Sequence, residues 1–438
     1  MMELIIIALF CGALLLCVAL DFSIVYALFA GLGLFWFYGL KKGFGLKQLG
    51  TMSLAGVFKV KNILITFMLI GMLTAIWRAA GTIPFIVCTA TQFITPQIFI
   101  AMTFVLNCMV ALLIGTSFGT AATMGVICVT MAHSMGINIV PVCGAMLSGT
   151  FFGDRCSPVS TSALLVAELT GTDIFDNIKN MVKSCAVPFA LTVAAYLAMG
   201  FVFTGKGKVP DLYALFGRQF ALKWITVIPA AIIIVLSLFK IRVKAAMITS
   251  IIVALPIAVV VQGVQAAQLP HILFWGYTTA DAQLAAMLNG GGIISMLRVA
   301  LIVCVSSAYS GIFEKTGLLD GIKEKIEKLA SKTTPFVATL AAAVGAGMVA
   351  CNQTLAIMLT HQLCNKTDQD SSRFALALED TVVVTAALVP WSIASGAPLA
   401  SVAGPQSAIW FACFLYILPL WRAVRDILHK RKAAHNTV

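Results

Sequence analysis

The chain has 438 residues, 60% hydrophobic and 11% charged, with a mean hydropathy of +1.00. A water-soluble domain is about half apolar and a quarter charged, so the composition excludes a soluble globule and a disordered chain and leaves the bilayer as solvent. The net charge of +12 fits the basic cytoplasmic loops of a polytopic membrane protein, not nucleic-acid binding.

A helix crosses the hydrocarbon layer with about 20 apolar residues. Runs of that length are predicted near 3–20, 22–40 and 62–94. The first has no basic n-region and runs straight into the second, so it is expected to be a transmembrane helix rather than a cleaved signal peptide. Lys41, Lys42, Lys47, Lys59 and Lys61 follow the second run and mark a cytoplasmic loop. Residues 98–135 read as a re-entrant hairpin of two half-length arms, 98–114 and 121–135. Its tip is Gly115-Thr116-Ser117-Phe118-Gly119-Thr120, where glycines permit a tight reversal and hydroxyls collect. Residues 139–170 are predicted as one span interrupted at Gly153 to Pro158.

Further spans are expected near 184–203, 223–239, 245–262 and 293–310. Inside charge falls at Lys240, Arg242 and Lys244, then at Lys315, Lys323, Lys325, Lys328 and Lys332 with Glu324 and Glu327, while Lys206, Lys208, Arg218 and Lys223 run against the pattern. A second hairpin at 335–366 has Cys351-Asn352-Gln353-Thr354 at its tip, and a second interrupted span at 374–404 breaks near Pro390 to Gly396. The last span, 405–420, runs into Arg422, Arg425, Lys430, Arg431 and Lys432.

The expected fold is therefore an all-α polytopic membrane protein of two inverted repeats, 1–222 and 223–438, each with five spans and one re-entrant hairpin. Both termini are expected in the cytoplasm, at a prokaryotic plasma membrane. Ser117 to Asp154 is 37 residues and Asn352 to Pro390 is 38, so corresponding breaks recur at matching intervals. That layout is expected of a secondary transporter whose substrate site lies where the breaks meet.

A charge at bilayer depth is costly unless it faces a cavity or partner, which makes Asp154 the first functional candidate. Gly153 and Pro158 disturb the helical ladder and free carbonyls beside its carboxylate, and a hard cation such as Na+ seeks such oxygens. Ser157, Ser160, Thr161 and Ser162 add neutral oxygens. Thr116, Ser117 and Thr120 at one tip, and Asn352 and Thr354 beside Gln353 at the other, complete the candidate site. The second break adds Glu379, Asp380, Thr385, Trp391 and Ser392. Adjacent helical acids point about 100° apart, so one of Glu379 and Asp380 is expected to face the site, with Asp380 favoured. Asp154, Glu379 and Asp380 are the proton-coupling candidates. Two readings compete: a folding salt bridge of Asp154 with Arg155 or Arg298, and capping of a helix end by the paired acids near Arg373. His133 and His361 lie on the trailing hairpin arms as packing or relay residues.

The 12 cysteines form no Cys-x-x-Cys pair and read as apolar filler. No Gly-x-x-x-x-Gly-Lys-Ser/Thr loop occurs, which argues against nucleotide-driven pumping. No cofactor is expected beyond transported Na+ and H+. An intramembrane hydrolase using Asp154 and Asp380, and a passive channel, are the rivals from other classes.

Gly115 to Thr120 (GTSFGT), Ser148 to Pro158 (SGTFFGDRCSP), Leu378-Glu379-Asp380 with Pro390-Trp391, and Gln353 with Leu355-Ala356-Ile357 resemble the NhaC-type sodium/proton antiporter family, a branch of the ion-transporter superfamily. The resemblance spans about 115–400. It implies Na+/H+ exchange, or Na+- and H+-linked exchange of a small carboxylate or amino acid, in an elevator-like fold with paired hairpins. By matching position, Thr116, Ser117, Asp154, Ser157, Asp380 and Trp391 would inherit site roles. Where the family shows Ser-Asp-Thr-Thr this chain has Ser160-Thr161-Ser162-Ala163, and Cys351-Asn352-Gln353 stands where Gly-Asp-Gln is frequent. Both changes remove carboxylates, which places a second Na+ site in doubt and favours a site that also holds a solute. The expected partners are thus the lipid bilayer and a small ion, with a small organic solute and a homodimer left open, and no nucleic acid.

Overall fold

The computed structural model describes residues 2–20, 22–91, 95–158, 160–203, 212–239, 241–316, 326, 328–350 and 352–435. Lys206, Lys208, Lys240, Lys323, Glu324, Lys325, Glu327 and Cys351 lie outside the described residues. Within them the chain is helical, with no strand beyond one antiparallel bridge between Tyr277 and Gly290.

Helices α1 (Met2–Ala19), α2 (Ile24–Lys41) and α3 (Leu46–Lys59) precede a bent unit, α4 (Lys61–Ala79) and α5 (Thr82–Thr91), which turns at Gly81 with φ 74°. Then come α6 (Pro96–Ile114), a tip helix α7 (Ser117–Thr120), a π turn over Ala121–Gly125, and α8 (Val126–Ser134). The first interrupted helix is α9 (Ile139–Cys156) and α10 (Thr161–Thr170), followed by the 30-residue α11 (Ile174–Phe203). Helices α12 (Leu212–Phe216), α13 (Ile228–Leu238), α14 (Val243–Val260), α15 (Leu269–Trp275), α16 (Ala282–Leu288) and α17 (Leu297–Thr316) lead to a helical pair, α18 (Pro335–Ala350) and α19 (Gln353–Cys364). The second interrupted helix comprises α20 (Ser371–Asp380), α21 (Val382–Thr385) and α22 (Ile393–Ser401), before the terminal α23 (Cys413–His435).

Among the described residues, four helices are long and apolar enough to cross a membrane: α4, α6, α11 and α14. The stretches 371–388 and 393–401 pass the same test as a pair bent by 58°. Composition and this all-helical architecture together make the chain an integral membrane protein. Outward faces fit lipid contact: Leu16, Phe29, Val202, Val260 and Trp410 are exposed apolar side chains.

The arm 98–114, expected at half length, is part of a 19-residue helix, and its partner runs 117–134 through the π turn. No glycine or further proline interrupts α6 between Pro96 at its first turn and Gly115, whose left-handed φ of 71° ends it.

The packing of α9 on α6 fixes the site. A Cβ on Gly149 would fall 2.5 Å from the Phe104 carbonyl oxygen, and one on Gly153 would lie within 2.5 Å of Ala111 backbone, so only glycine admits this approach. On its other flank Tyr196 of α11 clamps α9: its hydroxyl lies 2.6 Å from Ser148 Oγ, donates to the Phe411 carbonyl at 2.9 Å and accepts from the Cys413 amide at 3.0 Å. A separate cluster joins α1, α2 and α17 through Phe10, Phe35 and Tyr309, with ring centroids 5.1–5.4 Å apart.

Candidate functional site

Four chain breaks surround one cavity of about 720 Å³. Thr116 and Ser117 come from the first tip, Asp154, Pro158 and Thr161 from the first interrupted helix, Asn352, Gln353 and Thr354 from the second tip, and Ile393 and Ala394 from the second interrupted helix. Asn62 of α4, and Arg242 and Lys244 at the start of α14, line it too.

Each break has a local cause. Thr116 caps α7 by accepting the Gly119 amide at 3.1 Å, and Thr123 satisfies the adjoining π turn by donating to the Gly119 carbonyl at 2.8 Å. Helix α9 ends at Cys156, where Ser157 is extended; Ser157 Oγ then donates to the Leu112 carbonyl at 2.8 Å and ties the break to α6. Ser160 caps α10 by accepting the amides of Ser162 and Ala163, and Asn352 caps α19 by accepting from Leu355 at 2.8 Å. The second break starts at Thr381 (φ −119°, ψ −89°), earlier than the predicted Pro390, and passes through extended Val389 before Ser392 caps α22.

Asp154 is buried and makes no ion pair among the described residues. Its Oδ1 accepts from Ser160 Oγ and its Oδ2 from Gln353 Nε2, each at 3.0 Å, while its main-chain carbonyl accepts from Ser162 Oγ at 3.2 Å. Gln353 also donates to the Val383 carbonyl at 2.9 Å, so one side chain links the second tip, the first break and the second break. A carboxylate held only by neutral donors keeps its net charge available to a cation or a proton in the cavity.

Arg155 turns the other way. It pairs with Asp380 and donates to Ser184 Oγ at 2.8 Å and to the Met181 carbonyl at 3.3 Å. Arg422 Nη1 approaches Asp380 at 3.3 Å from α23. The expected alternative pairing of Asp154 with Arg155 is thus displaced by a buried Arg155–Asp380–Arg422 network. Asp380, favoured as the acid facing the site, does not line the cavity, because it balances two guanidinium groups instead. Glu379 does not line it either; it is buried, and neither carboxylate oxygen has a hydrogen-bond partner among the described residues.

Thr120, Ser157, Ser160, Thr385, Trp391 and Ser392 do not line the cavity. Thr120 donates to the Thr116 carbonyl at 3.0 Å, and Trp391 Nε1 donates to Met348 O at 2.8 Å. His133 is exposed, and the His361 ring lies 5.6 Å from that of Phe374. Gln353, which the sequence marks only through the Gln-x-Leu-Ala-Ile stretch, and Arg242 and Lys244, whose place between apolar runs reads as loop charge, are cavity residues beyond the expected set. No periodicity marks Asn62.

A profile described as the Na+/H+ antiporter family matches residues 1–168 and 149–421. Among curated proteins, the malate-2H(+)/Na(+)-lactate antiporter of Bacillus subtilis is 28% identical over 386 residues, covering 86% of this chain and 82% of that protein. The Na(+)/H(+) antiporter NhaC of Alkalihalophilus pseudofirmus is 26% identical, covering 80% of this chain and 78% of its own. The arginine/ornithine antiporter ArcD of Halobacterium salinarum is 26% identical, covering 77% and 72%.

Proposed function

The chain belongs to the Na+/H+ antiporter family, and from that premise we propose that it is a secondary transporter exchanging Na+ for H+ at Asp154. One observation carries the reading: the Asp154 carboxylate, free of any cationic partner among the described residues, meets both hairpin tips in one cavity. Na+ and a proton compete for the same carboxylate oxygens, so each excludes the other and the two ions cross in opposite directions. Ser117, Asn352 and Thr354 supply neutral oxygens to a dehydrated cation, while Ser160 and Gln353 hold the carboxylate in place. Residues 1–222 and 223–438 act as oppositely oriented repeats, each giving one tip and one interrupted helix to the cavity, which opens to alternate sides. Both termini face the cytoplasm of a cell membrane, in keeping with the lysines after α2 and the arginines of α23.

A second reading, coupled exchange of a small organic carboxylate or amino acid, draws on the cavity's contents. About 720 Å³ far exceeds a bare ion, and Arg242, Lys244 and the amino-terminal ends of α10, α19 and α22 present positive charge or dipole to it. The names of the Bacillus subtilis and Halobacterium salinarum relatives point the same way.

Proteoliposomes loaded with a pH dye separate these readings. A pulse of external Na+ alone raises lumenal pH under Na+/H+ exchange. A response that requires malate, lactate, arginine or ornithine selects the solute-coupled reading, and no response with any of them removes both.

A further inference from the structure

A second cavity, of about 430 Å³, lies apart from the exchange site where α20, the start of α18 and the tail of α23 meet. Its walls carry four cations, Arg373, Arg422, Arg425 and Lys430, against two acids, Asp368 and Asp426. Arg373 is committed to Asp368 at 3.1 Å and to Asp370 at 3.3 Å. Arg425 makes no ion pair among the described residues, and Lys430 Nζ meets only the Thr333 carbonyl among them. Arg422 is the informative member. Its guanidinium lies 5.3 Å over the Phe336 ring and 3.3 Å from Asp380, yet its buried Nε has no hydrogen-bond partner among the described residues. The cavity thus offers spare guanidinium and ammonium donors of one sign, and planar guanidinium forks suit the oxygens of a phosphate group. Leu420, Val424 and Leu428 form an exposed apolar stripe on the same helix, which sets this cluster at the edge of the lipid-facing surface.

We propose that this cavity is a regulatory site for a phosphate-bearing anion, either a free phosphate or an anionic lipid headgroup. Arg422, Arg425 and Lys430 hold the anion, and its occupancy competes with Asp380 for Arg422. Because Asp380 also holds Arg155, the neighbour of Asp154, an anion here acts on the exchange site through one buried ion network.

Two arms distinguish the sources: protein in phosphatidylcholine nanodiscs titrated with inorganic phosphate, and protein in nanodiscs of increasing phosphatidylglycerol content without free phosphate. Thermal stability is read in both, and Na+-driven proton flux in vesicles of the same lipids. Saturable stabilisation by one probe is expected. Its midpoint should move at least about tenfold in Arg425→Gln/Lys430→Gln, with partial recovery in Arg425→Lys, because each charged hydrogen bond lost is worth about that much. Flux should change over the same range of probe and stop responding in the double variant, with basal flux unchanged. The proposal is overturned by absence of stabilisation by either probe, by equal midpoints in wild type and double variant, or by binding that leaves flux untouched.

Discussion

Asp154 and Asp380 each sit at the carboxyl-terminal side of the first segment of an interrupted helix, and both are buried. Their company differs. Asp154 accepts hydrogen bonds from Ser160 and Gln353 and lines the cavity of about 720 Å³, whereas Asp380 lies between Arg155 and Arg422 and does not line that cavity. A buried acid compensated by guanidinium groups has little charge left for cargo, and a buried acid held by neutral donors still has a charge to be met by a cation or a proton. The position of an acid in a broken helix therefore does not fix its role; its compensating partner does.

The largest effect that tests this contrast is on transport. Asp154→Asn keeps the shape of the side chain and removes the exchangeable charge, so Na+-driven proton flux in proteoliposomes is expected to vanish while the melting temperature stays near wild type. Asp380→Asn is expected to fail differently, by stability: stripping the partner from buried Arg155 costs about 3–5 kcal/mol, read as a lower melting temperature in detergent. Arg155→Met/Asp380→Leu should be less destabilised than the sum of its single changes, since the double variant leaves no buried charge of the pair unpaired. A smaller loss, about 1–3 kcal/mol, is expected for Gly153→Ala, whose new methyl would overlap Ala111 and push α9 off α6. The smallest is Trp391→Phe, which gives up one hydrogen bond to Met348 for about 1 kcal/mol and leaves flux intact.

The membrane class and the helix interruptions were legible because they are local. Gly115 ends α6 in a left-handed turn, and the Gly153 to Pro158 stretch coincides with the end of α9 at Cys156. Long-range pairing was not legible. Arg155 and Asp380 are 225 residues apart, and no spacing tells Asp380 that its partner lies on α9 rather than in the cavity. The 100° rule for adjacent acids correctly limits how many can share one face, but it says nothing about which cation waits there. Arg242 and Lys244 were hidden for a different reason: a basic turn between apolar runs reads as topology charge, and only the packing of α14 beside the first tip brings these residues to the cavity. The apolar pattern over 98–114 does not show the start of α6 at Pro96, which makes the arm a 19-residue helix.

Na+ binding tests the assignment of Asp154 most directly, without requiring transport. The melting temperature of the purified protein is followed against Na+ concentration, at several pH values, for wild type, Asp154→Asn and Asp380→Asn. A ligand of the folded state raises its stability, and a proton on the same carboxylate opposes Na+. Wild type should therefore be stabilised by Na+, with an apparent affinity that falls as pH falls. Asp380→Asn should start lower and still respond, and Asp154→Asn should not respond at any pH. A full Na+ response in Asp154→Asn would contradict the account.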